Sequence, residues 1–404
     1  MTRSMLSECL RPGDRIVVGQ AISEPVGLVA DLFQLAPRLG AIDVFCGLSL
    51  NPAWKSDVPD NVRVTTYCGL GTVGALVAHG RARLVPASLS QLSAQIASRK
   101  LPVDVVLLQV SPADEEGYHS LSCTLDYAWD AVQVARTVIV EVNANLPITR
   151  SSGRLHCSRL VVARESDAAL LESPAEEPNE VQRQVAAQVG KLIPDGAAVQ
   201  LGIGGLAVAV AEALRNHRRL KLRSGMVGDW FLDLVESGAI DAASQDSCLA
   251  SLAVGSQRLY GSLSRHGLLG FAQPAQLAQP IPGIPLMAIN SAIEVDLCGQ
   301  VNAELLGERY VGVVGGQTDY FRAARASAGG LAILALPATS GRAAKSRIVQ
   351  RCAYVTSTQS DVDVIVTEYG AADIRVTTLA ERKTLVANIA APGERDALLQ
   401  GHGS

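Results

Sequence analysis

The sequence predicts an α/β fold: two similar open α/β domains with mostly parallel sheets, related by internal duplication. Three observations carry this. Short β-rich runs alternate with helical patterns, a strand–turn–helix segment near residue 11 is echoed near residue 193, and 48% of the 404 residues are hydrophobic against 18% charged. That balance supplies strands buried on both faces, as parallel sheets require, and excludes a disordered chain.

The rhythm begins with "DRIVVG" from Asp14, a strand, followed by "VGLVADLFQLAPRLG" from Val26, whose apolar residues recur at helical spacing. "IDVFCGL" from Ile42 reads as the next strand, and "VDVVLLQVS" and "AVQVARTVIVEVNA" continue the alternation. The segment "RPGDRIVVGQAISEPVGLVADL" beginning at Arg11 resembles "IPDGAAVQLGIGGLAVAVAEAL" beginning at Ile193. A second echo pairs Val103–Asp114 with Val362–Asp373, so that Asp104 and Asp114 answer to Asp363 and Asp373. Two echoes in one order predict duplication, against the alternative that any two parallel αβ units share such patterns. The seam falls in "ESPAEEPNEVQRQ", giving domains 1–180 and 181–404.

Composition narrows the function classes. A net charge of −4 with scattered Arg and Lys, and aromatics at 4%, argue against a nucleic-acid partner. Eight cysteines lie far apart with no C-x-x-C pair, which predicts reduced core thiols rather than a catalytic thiolate. The six histidines show no ligand spacing, so no metal is expected. The N-terminal "MTRSMLSECLRPGDR" has no apolar signal core, and no run approaches the ~18 apolar residues of a membrane helix. The expected address is the cytoplasm, without a membrane partner.

Two glycine turns are candidate binding elements. Gly202-Ile203-Gly204-Gly205-Leu206 lies between a strand and a helix, where free amides favour an anion or a developing oxyanion. It is no dinucleotide fingerprint, because the third glycine comes too early; glycines serving close strand–helix packing are the plain alternative. Gly315-Gly316-Gln317 repeats the pattern. Glu294, Asp296 and Glu368 are carboxylates in apolar settings, at or after strand-like runs, where open α/β sheets bind ligands. Each is equally a buried acid satisfied by backbone amides.

Taken together, "LRPGDRIVVG", "PVDVVLLQVSPADEEGYHSL", "LIPDGAAVQLGIGG", "INSAIEVDLCGQVNAE", "GGQTDYFRAA" and "VTEYGAADIR" resemble the acetyl-CoA hydrolase/transferase branch of the family I coenzyme A transferases, the branch of the 4-hydroxybutyrate CoA-transferases. The resemblance spans nearly the whole chain. It implies a two-domain CoA-transferase fold, coenzyme A or acyl-CoA as substrate bound between the domains, and a homodimer or homo-tetramer. The family carries Ile-His-Ser/Thr-Glu-Met before an Asp-Gly helix start, and its glutamate forms a glutamyl-CoA thioester. Here the motif reads "LRSGM". Gly225 stands at the nucleophile, Arg223 at the histidine, and Asp229-Trp230 at the Asp-Gly.

Ser224 is an unsuitable substitute, since alternate strand residues face opposite sides. The resemblance aligns Glu368 with an assisting active-site glutamate and Glu294 with a motif lining the CoA pocket; either is a candidate general base. The connection "LLGFAQPAQLAQPIPG" after His266-Gly267 is shorter than the family's, which predicts a reshaped acyl pocket. Three readings follow. The first is acyl-CoA chemistry without a glutamyl-CoA intermediate: hydrolysis, decarboxylation or carbon–carbon chemistry beside the thioester. The second is ordinary CoA transfer through another carboxylate, and the third an inactive CoA-binding subunit.

Overall fold

The computed structural model describes residues 2–151, 153–240, 247–267, 269–341 and 345–400. They form two compact units. The first comprises residues 1–174, 249–277 and 310–315, and the second residues 175–248, 278–309 and 316–404.

The first unit is built on a seven-stranded, wholly parallel sheet. Its order is Val161–Ser166, Thr137–Asn143, Val105–Val110, Arg15–Val18, Ile42–Phe45, Val62–Thr66 and Ala82–Leu84. Val105–Val110 is buried at every position, as a central parallel strand must be. Helix Val26–Leu39 packs Leu28, Val29, Leu32 and Phe33 into the core beneath one face and stops at Gly40, whose φ is +75°. Leu92 and Ile96 of helix Leu89–Ala97 cover part of the other face; its start is fixed by a capping box between Ser88 and Gln91. Late segments return to this unit: the Leu125 amide donates to the Ser251 carbonyl at 2.7 Å, and the Gly69 amide to the Gly312 carbonyl at 2.8 Å. The connection after Gly267 contributes Gln273, whose amide donates to Asp130 at 2.8 Å, while residue 268 lies outside the described residues.

The second unit orders its strands Gly370–Asp373, Val364–Thr367, Leu331–Ala335, Leu286–Asn290, Ala198–Gln200 and Lys221–Val227. All pairs are parallel except the first. A small satellite sheet joins Glu294–Asp296 to Val301–Asn302 and Ile348–Val349.

The two echoes fare differently. Arg15–Val18 and Ala198–Gln200, the strands of the first echo, hold matching places: each is flanked in parallel by the strand that follows it in sequence, Ile42–Phe45 or Lys221–Val227, and by a later one, Val105–Val110 or Leu286–Asn290. The second echo joins strands that are not equivalent: Val105–Val110 adjoins Arg15–Val18, whereas Val364–Thr367 is three places from Ala198–Gln200. What they share is a local clamp. Asp104 exchanges bonds with residue 15 of the neighbouring strand, accepting from the Arg15 amide at 3.0 Å and donating to the Arg15 carbonyl at 2.9 Å. Asp363 does the same with Ala332, at 3.0 and 2.9 Å. An aspartate that satisfies an amide at the start of an adjacent strand, the first residue in one case and the second in the other, is a general solution to strand starts, so it recurs without marking equivalent positions.

Candidate active site

Gly225 lies half-buried on strand Lys221–Val227 and is absent from the positive-φ glycines, so its backbone tolerates a side chain. Alternation puts Arg223 on the same face and Ser224 on the other. Ser224 is fully buried, and its hydroxyl is committed to the backbone, at 2.5 Å from the Leu201 carbonyl and 2.9 Å from that of Met226. Its role is to tie this strand to the end of Ala198–Gln200. Arg223 donates to the Leu222 carbonyl at 2.9 Å.

Helix Trp230–Glu236 begins where the Asp-Gly start was expected, with Asp229 at its cap. Trp230 is 1% exposed, and its indole N–H donates to the Gly202 carbonyl at 3.2 Å. Trp230 thus anchors the glycine turn, a contact invisible in the sequence because it joins positions 28 residues apart.

The turn itself is open. A Cβ added at Gly202 or Gly204 would meet nothing within 4 Å, so close packing does not explain these two glycines. Gly204 is required by its φ of +96°, which L side chains rarely adopt. Gly205 faces the Gln182 side chain, where a Cβ would approach to 3.0 Å. Ile203 is 42% exposed. The turn leads into the ten-residue helix Gly205–Leu214, whose first amides have no acceptor among the described residues apart from those bonded back to Gly204.

At the other glycine turn, Gly315 has φ +56° and its carbonyl accepts from the Leu89 amide within the first unit. Gly316 caps helix Gln317–Ala326 in the second. The Gln317 side chain is spent internally, donating to the Ser291 carbonyl at 2.9 Å and accepting from the Ser357 hydroxyl at 2.8 Å. It orders two loops, and one N–H of its side-chain amide is used in doing so.

The three carboxylates separate in kind. Asp296 is buried and saturated by the amides of Cys298, Gln300 and Cys352, which makes it a turn-forming group. Glu294 accepts from the Asn302 side chain at 3.0 Å through Oε1. Glu368, directly after Val364–Thr367, accepts from the Ala338 amide at 2.8 Å through Oε2. Among the described residues, the second oxygen of each has no protein donor.

Arg347 links these two. Its guanidinium donates to the carbonyls of Ala292 and Ile293, immediately before Glu294, and its own amide donates to the Ala338 carbonyl. Burial lowers its pKa, and the Glu368 charge opposes that shift. Sequence reading missed Arg347; the available signal was an arginine directly before the apolar pair Ile348–Val349, and Lys345 and Arg351 nearby make it undistinctive.

A separate polar centre follows Arg15–Val18 in the first unit. Glu24, fully buried, accepts from Ser49 at 2.5 Å, Asn51 at 2.9 Å and the Trp54 indole at 2.7 Å. Burial pushes its carboxyl up, and the three donors oppose it. Both oxygens are used, so Glu24 positions the loop after Ile42–Phe45. The cysteines are all free, and five are buried. Burial pushes Cys123 and Cys352 up to about 12, which leaves them neutral at physiological pH. Among the described residues no cluster of His, Cys, Asp and Glu suits a metal ion, and no helix is long and apolar enough to cross a membrane.

Residues 1–159 match the acetyl-CoA hydrolase/transferase N-terminal domain, and residues 255–402 the corresponding C-terminal domain. The chain is 32% identical over 397 residues to the 4-hydroxybutyrate coenzyme A transferase of Clostridium kluyveri, covering 95% of this chain and 92% of that protein. It is 26% identical over 334 residues to the acetyl-CoA hydrolase of Neurospora crassa, covering 70% and 62%. Among solved structures, RipA from Yersinia pestis superposes with a TM-score of 0.90 at 26% identity, over 99% of this chain and 96% of that one. The 4-hydroxybutyrate CoA-transferase of Porphyromonas gingivalis gives 0.80 at 26% identity over the same shares.

Proposed function

The chain belongs to the acetyl-CoA hydrolase/transferase family, and from that premise we propose that it hydrolyses an acyl-CoA thioester without a glutamyl-CoA intermediate. The observation that carries the reading is residue 225: a glycine on an extended strand, beside a serine whose hydroxyl is turned into the backbone. Covalent transfer needs a carboxylate oxygen within attack distance of the thioester carbon, and a misplacement of ~1 Å is already costly.

Glu368 is the general base. Its Oε2 is fixed by the Ala338 amide, and Oε1 accepts a proton from water as the water oxygen bonds to the thioester carbon. The amides opening helix Gly205–Leu214 stabilise the carbonyl oxygen as charge develops there. Collapse breaks the carbon–sulfur bond, and Glu368 returns its proton to the departing thiolate. The products are a carboxylic acid and free coenzyme A. Ordinary transfer through Glu294 is the second reading, supported by that residue's unengaged oxygen and by the names of the transferase relatives.

The deciding experiment follows thiol release from a panel of acyl-CoAs, with and without acetate, in ¹⁸O-labelled water. Hydrolysis puts ¹⁸O in the released acid and needs no acetate. Acetate-dependent release, with CoA found esterified to Glu294 or Glu368 after borohydride or hydroxylamine trapping, would overturn it. Tight CoA binding without turnover would mark an inactive binding subunit.

A further inference from the structure

Strand Val364–Thr367 ends at Glu368, and at its opposite end Val362 and Asp363 line a cavity of about 710 Å³. The two ends are separated by four strand residues, roughly 13 Å. Gly329 and Gly330, just before Leu331–Ala335, border the same cavity, so it lies at the amino ends of these parallel strands, away from Glu368. We propose that this cavity binds a small organic phosphate, independently of any acyl-CoA chemistry.

Charge is the first argument. Arg325, Arg375 and Arg382 line the cavity against one lining carboxylate, Asp363. Arg382 sends its donors only to neutral acceptors: the carbonyls of Cys298 and Gln359 at 3.1 and 3.2 Å, that of Ile374 at 2.9 Å, and the Thr377 hydroxyl at 3.4 Å. Among the described residues no carboxylate neutralises it. Arg325 stands 3.6 Å from Asp363, whose Oδ2 is occupied by the Ala332 amide. Arg375 pairs with Asp373 through Nε at 2.9 Å and Nη2 at 2.6 Å, and with both side chains about half exposed its outer N–H donors still face solvent for an added anion.

Shape and strain are the second. Val376, on the rim, has φ +50°, a conformation that a β-branched residue avoids, and its side chain stands fully in solvent. The turn is held by Asp373, which accepts from the Arg375 amide at 3.1 Å, and by the Thr377 hydroxyl, which donates to the Ile374 carbonyl at 2.8 Å. Backbone strain that exposes an aliphatic side chain beside three arginines fits a binding role. With Leu379, 58% exposed, Val376 forms an apolar lip suited to the organic part of a ligand whose phosphate meets the arginines. The volume falls within the ~300–1,000 Å³ of small-molecule sites.

Calorimetric titration of the full chain with pyrophosphate, ADP and adenosine, each with and without coenzyme A, tests this. ADP binds more tightly than pyrophosphate, adenosine shows no binding, and coenzyme A leaves the ADP isotherm in place. Arg375→Ala, an exposed site, weakens ADP about tenfold, and Arg325→Ala/Arg375→Ala weakens it further. Val376→Ser weakens ADP but not pyrophosphate. The proposal is overturned if no phosphate probe binds at millimolar concentration, if both bind equally, if the arginine variants bind as the parent does, or if coenzyme A displaces ADP.

Discussion

Gly225→Glu places an acid at the position that the sequence resemblance aligns with the family's nucleophile, and backbone, desolvation and charge terms bound its effect on stability. Gly225 has no positive φ, so the backbone accepts a side chain. Removing a glycine from a strand interior recovers about 0.5–1 kcal/mol. Against this, partial desolvation of the new carboxylate costs about 1–2 kcal/mol at a half-buried site. Arg223, two residues earlier on the same face, lies roughly 6.6 Å away along the strand. At an effective dielectric of ~20 its attraction is about 2.5 kcal/mol, which solvent reduces to below ~1. The terms nearly cancel, so the variant stays within about 1 kcal/mol of the parent and its Tm within ~4 °C.

The functional change is larger. Parent and variant are incubated with acetyl-CoA and labelled acetate, and the label entering acetyl-CoA is measured beside thiol release. The variant gains acetate-dependent exchange and a trappable CoA ester at residue 225; the parent shows neither. Exchange in the parent equal to that of the variant would refute the reasoning, because position 225 would then be irrelevant to transfer. A fall in Tm beyond ~10 °C would refute the structural half.

Four further outcomes follow from named contacts. Glu368→Gln retains an acceptor for the Ala338 amide, so it unfolds as the parent does in urea while thiol release falls by about 10²–10⁴. Trp230→Phe leaves the Gly202 carbonyl without its indole donor, and urea unfolding shows a loss of about 1–3 kcal/mol. Iodoacetamide at pH 8 labels exposed Cys157 in the native protein and spares Cys123 and Cys352, whose thiols burial pushes up to about 12; peptide mass spectrometry reads the pattern. Asp104→Asn removes a carboxyl that hydrogen bonding to Arg15 holds at about 2. A folded pKa below the unfolded value stabilises above the unfolded pKa of ~3.9 and is lost as pH falls through the folded one. The partly exposed pair contributes below about 1 kcal/mol, so the gap between parent and variant is full at pH 5–7 and closes between pH 4 and 2.

The layered fold was legible because buried parallel strands and amphipathic helices impose their periods locally, as in Val105–Val110 and Val26–Leu39. Strands Arg15–Val18 and Ala198–Gln200, which hold matching places in the two sheets, were legible through the first echo for the same reason. The second echo misled about position because Asp104 and Asp363 do the same local work at different places in their sheets. In the candidate site, Gly204 was readable as a turn glycine, as its φ of +96° requires. Which polar groups remain free was not. Asp296 and Gln317 look much like Glu368 in sequence, but three amides bind the one, and Ser291 and Ser357 each engage one end of the other's side-chain amide. Such pairings join distant segments and leave no periodic trace.

The contacts around residue 225 form one physical unit. Trp230 opens the helix after strand Lys221–Val227, and its indole reaches back to the carbonyl of Gly202, at the start of the turn proposed to receive the thioester oxygen. Ser224 ties the same strand to Leu201, the residue before Gly202. Two side chains flanking Gly225 therefore fix the backbone on which the glycine turn rests. A tryptophan placed there confers rigidity on a turn that has few contacts of its own, since Cβ atoms at Gly202 and Gly204 would touch nothing. Trp230→Gly, which installs the residue the resemblance implies at this position, would remove both the indole donor and a fully buried ring, costing about 3–5 kcal/mol. Gly225→Glu/Trp230→Gly should accordingly unfold at lower urea than either parent or Gly225→Glu, and exchange less acetate than Gly225→Glu alone. Higher exchange in the double variant would mean that Trp230 obstructs the acyl group rather than supporting the turn.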